Sequence, residues 1–307
     1  MNIIEFSHVS KIYRKGFLAK KIPAVVDLSF SVRQGAITGF IGPNGAGKTT
    51  SIKMIMGLAR PTGGDVRFSG RDPSDPTSRR DCTFLPEQPY FYQHLTVSES
   101  LAFAARLYGH HTGHLAKDIE QTLETVGLGG NEKRKIKDLS KGMQQRVAMA
   151  QALLMGSNVL IFDEPMSGMD PPGRSLFRSI FLSLAAQGKT IFFSTHILDD
   201  IEALCSDVVV LSKGRLDYQG PIDTLLQKGF KGHDLVVPPL PDALKEELRR
   251  IGCTIEPPGA AGDRVFAPSG VDLAACQRRL HEHGLFCESL TKRAISLEDV
   301  LYKKKSG

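Results

Sequence analysis

Gly42-Pro43-Asn44-Gly45-Ala46-Gly47-Lys48-Thr49-Thr50 decides how the rest of this 307-residue chain is to be read. The apolar run from Gly35 to Ile41 precedes it, and a helix-like run from Thr49 to Leu58 follows. That strand–loop–helix setting is what a phosphate-binding loop requires. Glycines reach positive φ without a Cβ penalty. Successive N–H groups can then turn inward at a helix N-terminus, where the macrodipole adds positive potential. Lys48 is placed to reach β- and γ-phosphates, and the Thr49 hydroxyl to help hold Mg²⁺. A glycine-rich solvent loop is the alternative, and the flanking strand and helix argue against it. The stretch predicts a nucleoside triphosphate site.

Composition sets the class. Apolar residues make up 41% of the chain and charged ones 23%, ordinary for a globular protein. The length accommodates one large domain or two smaller ones. No apolar stretch approaches the ~20 residues that a membrane-spanning helix needs. Met1 to Ser7 lacks the basic-then-apolar pattern of a signal peptide. The five cysteines (Cys82, Cys205, Cys253, Cys276 and Cys287) show no metal-like spacing, and an odd count suits a reducing compartment. A formal charge of +6 is compatible with anionic lipid or nucleic acid nearby but requires neither.

Strand-like runs are expected at Ile3 to Phe6, Val25 to Val32, Ile37 to Ile41, Asp65 to Phe68 and Cys82 to Leu85. A helical region is expected from Thr96 to Val126. Further strands fall at Val159 to Phe162, Thr190 to Ser194 and Asp207 to Leu211, with helices between them. Early antiparallel strands followed by strand–helix alternation predict an α/β core around a parallel sheet. The first domain is expected over 1–228. After Lys228 the breaker run Pro257-Pro258-Gly259-Ala260-Ala261-Gly262 sits within a β, α, β, β, α, β alternation, which predicts a small α+β appendage over 229–307.

Two further constellations carry chemistry. Val159-Leu160-Ile161-Phe162-Asp163-Glu164 is an apolar strand ending in paired carboxylates, costly at a buried strand end unless a cation compensates them. Beside a phosphate loop, Asp163 would orient Mg²⁺ and Glu164 would polarise the attacking water. His196 ends the run Ile191-Phe192-Phe193-Ser194-Thr195, at the strand edge where ligand sites of open α/β sheets gather; it reads as a phosphate contact or as a satisfied loop histidine. Ser140, in Leu139-Ser140-Lys141-Gly142-Met143-Gln144-Gln145-Arg146, is placed to cap a helix whose apolar face is Val147, Ala150, Leu153 and Leu154. It is either an ordinary N-cap or a second phosphate-facing helix start.

The phosphate loop, the Leu-Ser-x-Gly-x-Gln-Gln-Arg run, the strand ending Asp-Glu-Pro, Ser167-Gly168-Met169-Asp170 and Ser-Thr-His occur in order. Over residues 2–225 the chain resembles the nucleotide-binding subunit of an ATP-binding-cassette (ABC) transporter. The resemblance implies a P-loop NTPase core with an antiparallel β subdomain and a helical subdomain over about 88–138 that docks on a membrane partner. It implies ATP hydrolysis with Mg²⁺: Tyr13 against adenine, residues 42–50 around the phosphates, Asp163 toward Mg²⁺, Glu164 as general base, and His196 at the γ-phosphate. Ser140 and Gly142 would contact ATP held by a second ATPase subunit, with Asp170 linking the two sites. A homodimer is the simplest such pair, and a related cassette the other.

Three departures accompany the resemblance. Lys141 and Met143 stand where the signature usually has a glycine and a glutamine. Glu87 stands where a glutamine is usual, with Gln88 one step later, and either would reach Mg²⁺ and the attacking water. Met169 replaces a leucine of similar volume. The ending Ala294-Ile295-Ser296-Leu297-Glu298-Asp299-Val300-Leu301-Tyr302 resembles the C-terminal extension of ABC-2-type exporter ATPases, with Ser296 as an N-cap and Lys303 to Lys305 beyond it. The implied partner is an integral membrane permease, with the chain peripheral on the cytoplasmic face. An importer ATPase and a soluble non-transport ABC ATPase are the alternatives. The tandem cassettes or long coiled-coil insertion associated with work on DNA or ribosomes are absent from the sequence, so no nucleic-acid partner is expected. Gly109-His110-His111-Thr112-Gly113-His114 is read as a solvated interhelical loop rather than a metal site.

Overall fold

The computed structural model describes residues 1–15, 20–109, 113–259 and 262–294. The chain divides into two compact units, Met1–Ile222 and Asp223–Gly307.

The first unit opens with a long hairpin, β1 (Asn2–Lys15) and β2 (Lys20–Arg33). Both strands run well past the expected Ile3–Phe6 and Val25–Val32. The reason is a set of register shifts along the pair, between Phe6 and Val9 and again between Val9 and Lys11. His8 and Asp27 take positive φ there. Each irregularity resets which side chains face inward, so a search for strict alternation stops at the first one. After β3 (Ile37–Ile41) and α1 (Lys48–Ile55), β4 (Gly63–Phe68) returns to the far side of β1 and completes a three-stranded antiparallel sheet, β2-β1-β4.

The remaining strands are β5 (Cys82–Leu85), β6 (Val159–Asp163), β7 (Thr190–Thr195), β8 (Asp207–Ser212) and β9 (Arg215–Pro221). With β3 they form a six-stranded sheet in the order β5-β6-β7-β3-β8-β9, parallel except for the β8–β9 hairpin. Every residue of β3, β6 and β7 is buried. Layers cover both faces, so these strands read as mainly apolar runs rather than alternating ones. On one face Phe30 of β2 reaches Phe40 of β3 and Phe192 of β7, with ring centroids 5.5 and 6.2 Å apart. Ile52, Met54 and Ile55 of α1 join the same core. On the other face, Phe181 of α5 (Pro171–Ala186) packs on Phe162 and Phe193 at 5.2 and 5.4 Å. The C-terminal ends of β3, β6 and β7 therefore lie side by side, at the edge where open α/β sheets build ligand sites.

The expected single helical region is two helices, α2 (Val97–Leu107) and α3 (Leu115–Thr125). Thr96 and Glu99 form a reciprocal capping box that starts α2. Residues 110–112 of the proposed interhelical loop lie outside the described residues. α4 (Lys141–Leu154) packs against both α2 and α3, which carries the helical layer beyond the expected limit at residue 138. Among the described residues no helix is long and apolar enough to cross a membrane.

α6 (Leu198–Leu204) follows β7, and α7 (Ile222–Gly229) stands at the division between the units. The second unit then runs β10 (Phe230–Val237), α8 (Asp242–Arg250), β11 (Thr254–Gly259), β12 (Gly262–Pro268), α9 (Leu273–Glu282) and β13 (Ser289–Ala294). Its sheet order, β11-β12-β10-β13, is antiparallel throughout, the arrangement of a split βαβ unit. Leu235, Val237, Leu244, Leu248, Val265, Cys276 and Leu280 form its core. Cysteines scattered in sequence meet here: the Sγ atoms of Cys253 and Cys276 lie 3.8 Å apart, both as free thiols. The expected helix at Ser296 and the lysine tail lie outside the described residues.

Candidate active site

The loop between β3 and α1 follows from its glycines. Gly47 has a φ of +104°, and a Cβ there would stand 2.7 Å from the Ala24 carbonyl oxygen. Gly42 has no room for one either, with the Leu211 carbonyl oxygen 2.6 Å from where it would sit. Backbone from β2 and from the end of β8 thus holds the loop on both sides. Ala46 N–H donates to the Pro43 carbonyl at 3.0 Å, which closes the turn. The loop lines a cleft of about 550 Å³ formed by Pro43, Asn44, Gly45, Ala46, Gly47, Lys48, Thr49 and Thr50 together with Tyr13, Ile22, Pro23, Ala24, Glu87, Glu164, Ser167 and His196.

Lys48 is buried, and its Nζ donates to the Gly42 carbonyl at 2.6 Å while lying 3.3 Å from Glu164 Oε1. The other carboxylate oxygen, Oε2, lies 2.9 Å from His196 Nδ1. Two residues brought to Glu164 only by a parallel sheet therefore share its carboxylate. Glu164 is itself buried, with φ at 48°, the left-handed region that non-glycine residues rarely occupy. Its N–H donates to Ser194 Oγ at 2.9 Å, and that hydroxyl donates to Asp163 Oδ1 at 2.6 Å. Ser194 thus locks the paired carboxylates to β7. Gln145, fully covered on α4, donates from Nε2 to the Pro165 carbonyl at 3.0 Å and braces the same turn. Sequence reasoning assigned neither Ser194 nor Gln145 a part, although both belong to motifs it quoted. For Ser194 the signal was a polar residue at the end of an apolar run; Gln145, between Gln144 and Arg146, carried none.

Asp163 is buried at the end of β6, beneath the cleft rather than among its lining residues. Glu87 lines the cleft; Gln88, also exposed, does not. Tyr13 is 40% exposed at the rim, with Lys11 Nζ 5.1 Å from its ring centroid. Among the described residues no group of three or more His, Cys, Asp or Glu is arranged to hold a metal ion by itself.

Ser140, Gly142 and Asp170 do not join this cleft. They line a second one of about 440 Å³, with Gly127, Leu128, Asn131, Lys141, Met143, Arg146 and Gly168. Ser140 Oγ caps α4 by accepting from Met143 N–H at 3.3 Å. Asp170 caps α5 by accepting from Gly173 N–H at 3.1 Å. Two helix N-termini thus meet at one hollow separate from the phosphate loop: the Asp170 carboxylate already caps that of α5, while that of α4 lies beside Lys141 and Arg146 and can receive an anion.

Comparison with known proteins bears on both clefts. Residues 25–167 match the family model described as ABC transporter. An uncharacterized ABC transporter ATP-binding protein of Synechocystis is 40% identical over 239 residues, covering 77% of this chain and 67% of that protein. The Nod factor export ATP-binding protein I of Paraburkholderia xenovorans is 34% identical over 309 residues, 98% of this chain and 96% of its own. A solved structure described as the ATP-binding subunit of an ABC transporter superposes with a TM-score of 0.65 at 32% identity, covering 74% of this chain and 92% of that one.

Proposed function

The chain belongs to the ABC transporter family as an ATP-binding subunit with ATPase activity, and from that premise we propose that it powers export through a separately encoded integral membrane permease. The single observation that carries the hydrolytic part is the convergence of Lys48 and His196 on the Glu164 carboxylate inside the phosphate-loop cleft. A triphosphate entering that cleft competes with Glu164 for the Lys48 ammonium. Once the phosphates hold Lys48 and His196, the Glu164 oxygens are released to take a proton from an attacking water. Tyr13 is positioned at the rim for adenine, where stacking is worth about 1–3 kcal/mol by analogy with base–aromatic contacts. Apart from Pro43, which has none, and Ala46, which donates to the Pro43 carbonyl, the backbone N–H groups of the loop would face the phosphates.

Mg²⁺ fits the donor set. The Thr49 hydroxyl at the start of α1, Asp163 and Glu87 are hard oxygen ligands, and Mg²⁺ is usually held by one or two carboxylates together with substrate phosphates. Gln88, exposed next to Glu87, offers a neutral oxygen of the same kind. Bound with ATP, Mg²⁺ would neutralise phosphate charge.

The second cleft supports a dimer. Ser140, Gly142 and Lys141 form an anion-receptive surface, bordered by Asp170, with no triphosphate loop of its own, so its phosphate would come from a second subunit, most simply another copy packed head to tail. The exporter direction is supported by the likeness to a Nod factor export protein over nearly the whole chain. The exposed aromatics Tyr90, Tyr92 and Phe103, with the Tyr92 ring against both Tyr90 and Phe103 of α2, offer the helical layer a surface for a membrane partner on the cytoplasmic face.

Glu164→Gln is the test. It is expected to retain ATP while slowing turnover by at least ~100-fold, the scale of a positioned base. Tagged Glu164→Gln protein captured from native membranes with ATP is expected to carry a polytopic permease in stoichiometric amount. Unchanged hydrolysis would remove the base assignment, and recovery of soluble partners alone would remove the exporter reading.

A further inference from the structure

We propose that Asp200, held by Arg174 and Arg178, is the positioning residue for His196 and ties it to the segment that carries Asp170. The proposal rests on the reading of His196 as a phosphate contact. α6 begins two residues after His196 and is seven residues long, too short to persist without tertiary support. Its N-cap position, Ile197, offers no side-chain cap. Asp200, in its first turn, has a side chain with no exposed surface. Its Oδ1 accepts from Arg178 Nε at 2.8 Å, from Arg178 Nη2 at 2.6 Å and from Arg174 Nη2 at 3.0 Å. An ionised carboxylate at that depth is tolerated only with such compensation.

Both arginines come from α5, the helix that Asp170 caps. Arg174 stands one turn past Asp170, and its N–H donates to the Asp170 carbonyl at 3.0 Å. Asp200 stands four residues past His196, beyond the extended Ile197 and inside the first turn of α6. The cluster therefore joins a residue lining the second cleft to a residue lining the first, through the first turn of α5 on one side and the short link His196–Ile197–Leu198 into α6 on the other. Apolar packing already fixes α6 against the sheet: Ile201 and Cys205 fill the space over Gly39, where an added Cβ would stand 2.3 Å from Ile201 Cδ1. What the ion cluster adds is the register of α6 along α5.

The cluster is also unsaturated. Oδ1 takes all three donors, while Asp200 Oδ2 and Arg174 Nε are buried without a hydrogen-bond partner.

Steady-state ATPase kinetics of the full chain test this with Arg178→Gln, Arg178→Lys, His196→Ala and the double variant Arg178→Gln/His196→Ala. Arg178→Gln is expected to lower kcat at least ~10-fold with KM for ATP changed by less than about 2-fold. Arg178→Lys is expected to restore part of the loss. Adding Arg178→Gln to His196→Ala is expected to bring no further loss, because residues acting through one another are not additive. If Arg178→Gln does not fold, Arg174→Gln replaces it and leaves both Arg178 bonds in place. Losses that multiply in the double variant, or an unchanged kcat in Arg178→Gln, would overturn the proposal and leave the His196 reading standing. A wild-type kcat in His196→Ala would remove both together.

Discussion

Glu164 holds a left-handed backbone conformation that costs a non-glycine residue about 1–3 kcal/mol and persists only where the surroundings enforce it. Ser194, Lys48 and His196 enforce it here, and all four belong to motifs legible in the sequence. What the motifs did not carry was the direction of each contact. A string of residues says that Lys48, Glu164 and His196 share a site, but only the parallel pairing of β6, β7 and β3 puts Lys48 and His196 on the one Glu164 carboxylate. Glu87 and Gln88 show the same limit, since adjacent residues differ in facing and only the chain path after β5 turns Glu87 into the cleft. Gly47 gives the residue-scale prediction. Gly47→Ala must place a Cβ at a φ of +104° and 2.7 Å from the Ala24 carbonyl oxygen, where the left-handed penalty alone is about 1–2 kcal/mol. The loop must shift, and ATP affinity is expected to fall at least ~10-fold, which corresponds to about 1.4 kcal/mol. Titration with a fluorescent nucleotide checks it, and unaltered affinity would show that the loop's backbone does not hold the phosphates.

At the scale of elements, α2 depends on its capping box. Thr96 Oγ1 accepts from Glu99 N–H at 3.2 Å, and Glu99 Oε2 accepts from Thr96 N–H at 2.8 Å. The bond from the Thr96 backbone, with help from its hydroxyl, holds the Glu99 carboxyl below its usual range. A carboxyl depressed in the folded state stabilises fully above its unfolded value of ~4.3 and loses that contribution as pH falls through the folded one. Thr96→Ala is expected to remove about 1 kcal/mol at neutral pH. The stability gap between wild type and Glu99→Gln is expected to narrow as the medium is acidified past that range. Urea midpoints at neutral and acid pH measure both, and a gap independent of pH would leave Glu99 without a charged role. Elements were legible where one physical signal ran nearly uninterrupted: β3, β6 and β7 are buried throughout because both faces are covered, and most of their residues are apolar. They were misjudged where the signal broke. The register shifts in β1 and β2 hid most of their length, and a helical region counted as one is divided between α2 and α3. In the second unit the β, α, β, β, α, β order was readable from its breakers, whereas the meeting of Cys253 with Cys276 was not, because sequence spacing carries no information on which helix faces which strand.

At the scale of the whole molecule, two clefts of unlike composition imply an assembly. One holds Lys48, Glu164 and His196; the other holds Ser140, Gly142 and Asp170. If each ATP is held by the first cleft of one copy and the second cleft of its partner, the two sets of residues act in trans within a two-fold dimer. Lys48→Ala and Ser140→Arg should each be inactive alone, since every site in either homodimer lacks one half. A heterodimer of the two variants has one doubly damaged site and one intact site, made from Lys48 of the Ser140→Arg chain and Ser140 of the Lys48→Ala chain. Equal mixing gives heterodimers as about half of all dimers, so activity should return to about a quarter of wild type if each site turns over independently. A Glu164→Gln chain, which retains ATP, should meanwhile sediment as a dimer with ATP and as a monomer without it. Two variants that stay inactive when mixed, while the mixed dimer is shown to form, would mean that both sites must be intact for either to fire. Activity in unmixed Ser140→Arg would mean that the second cleft has no part in hydrolysis and that the phosphate-loop cleft works alone.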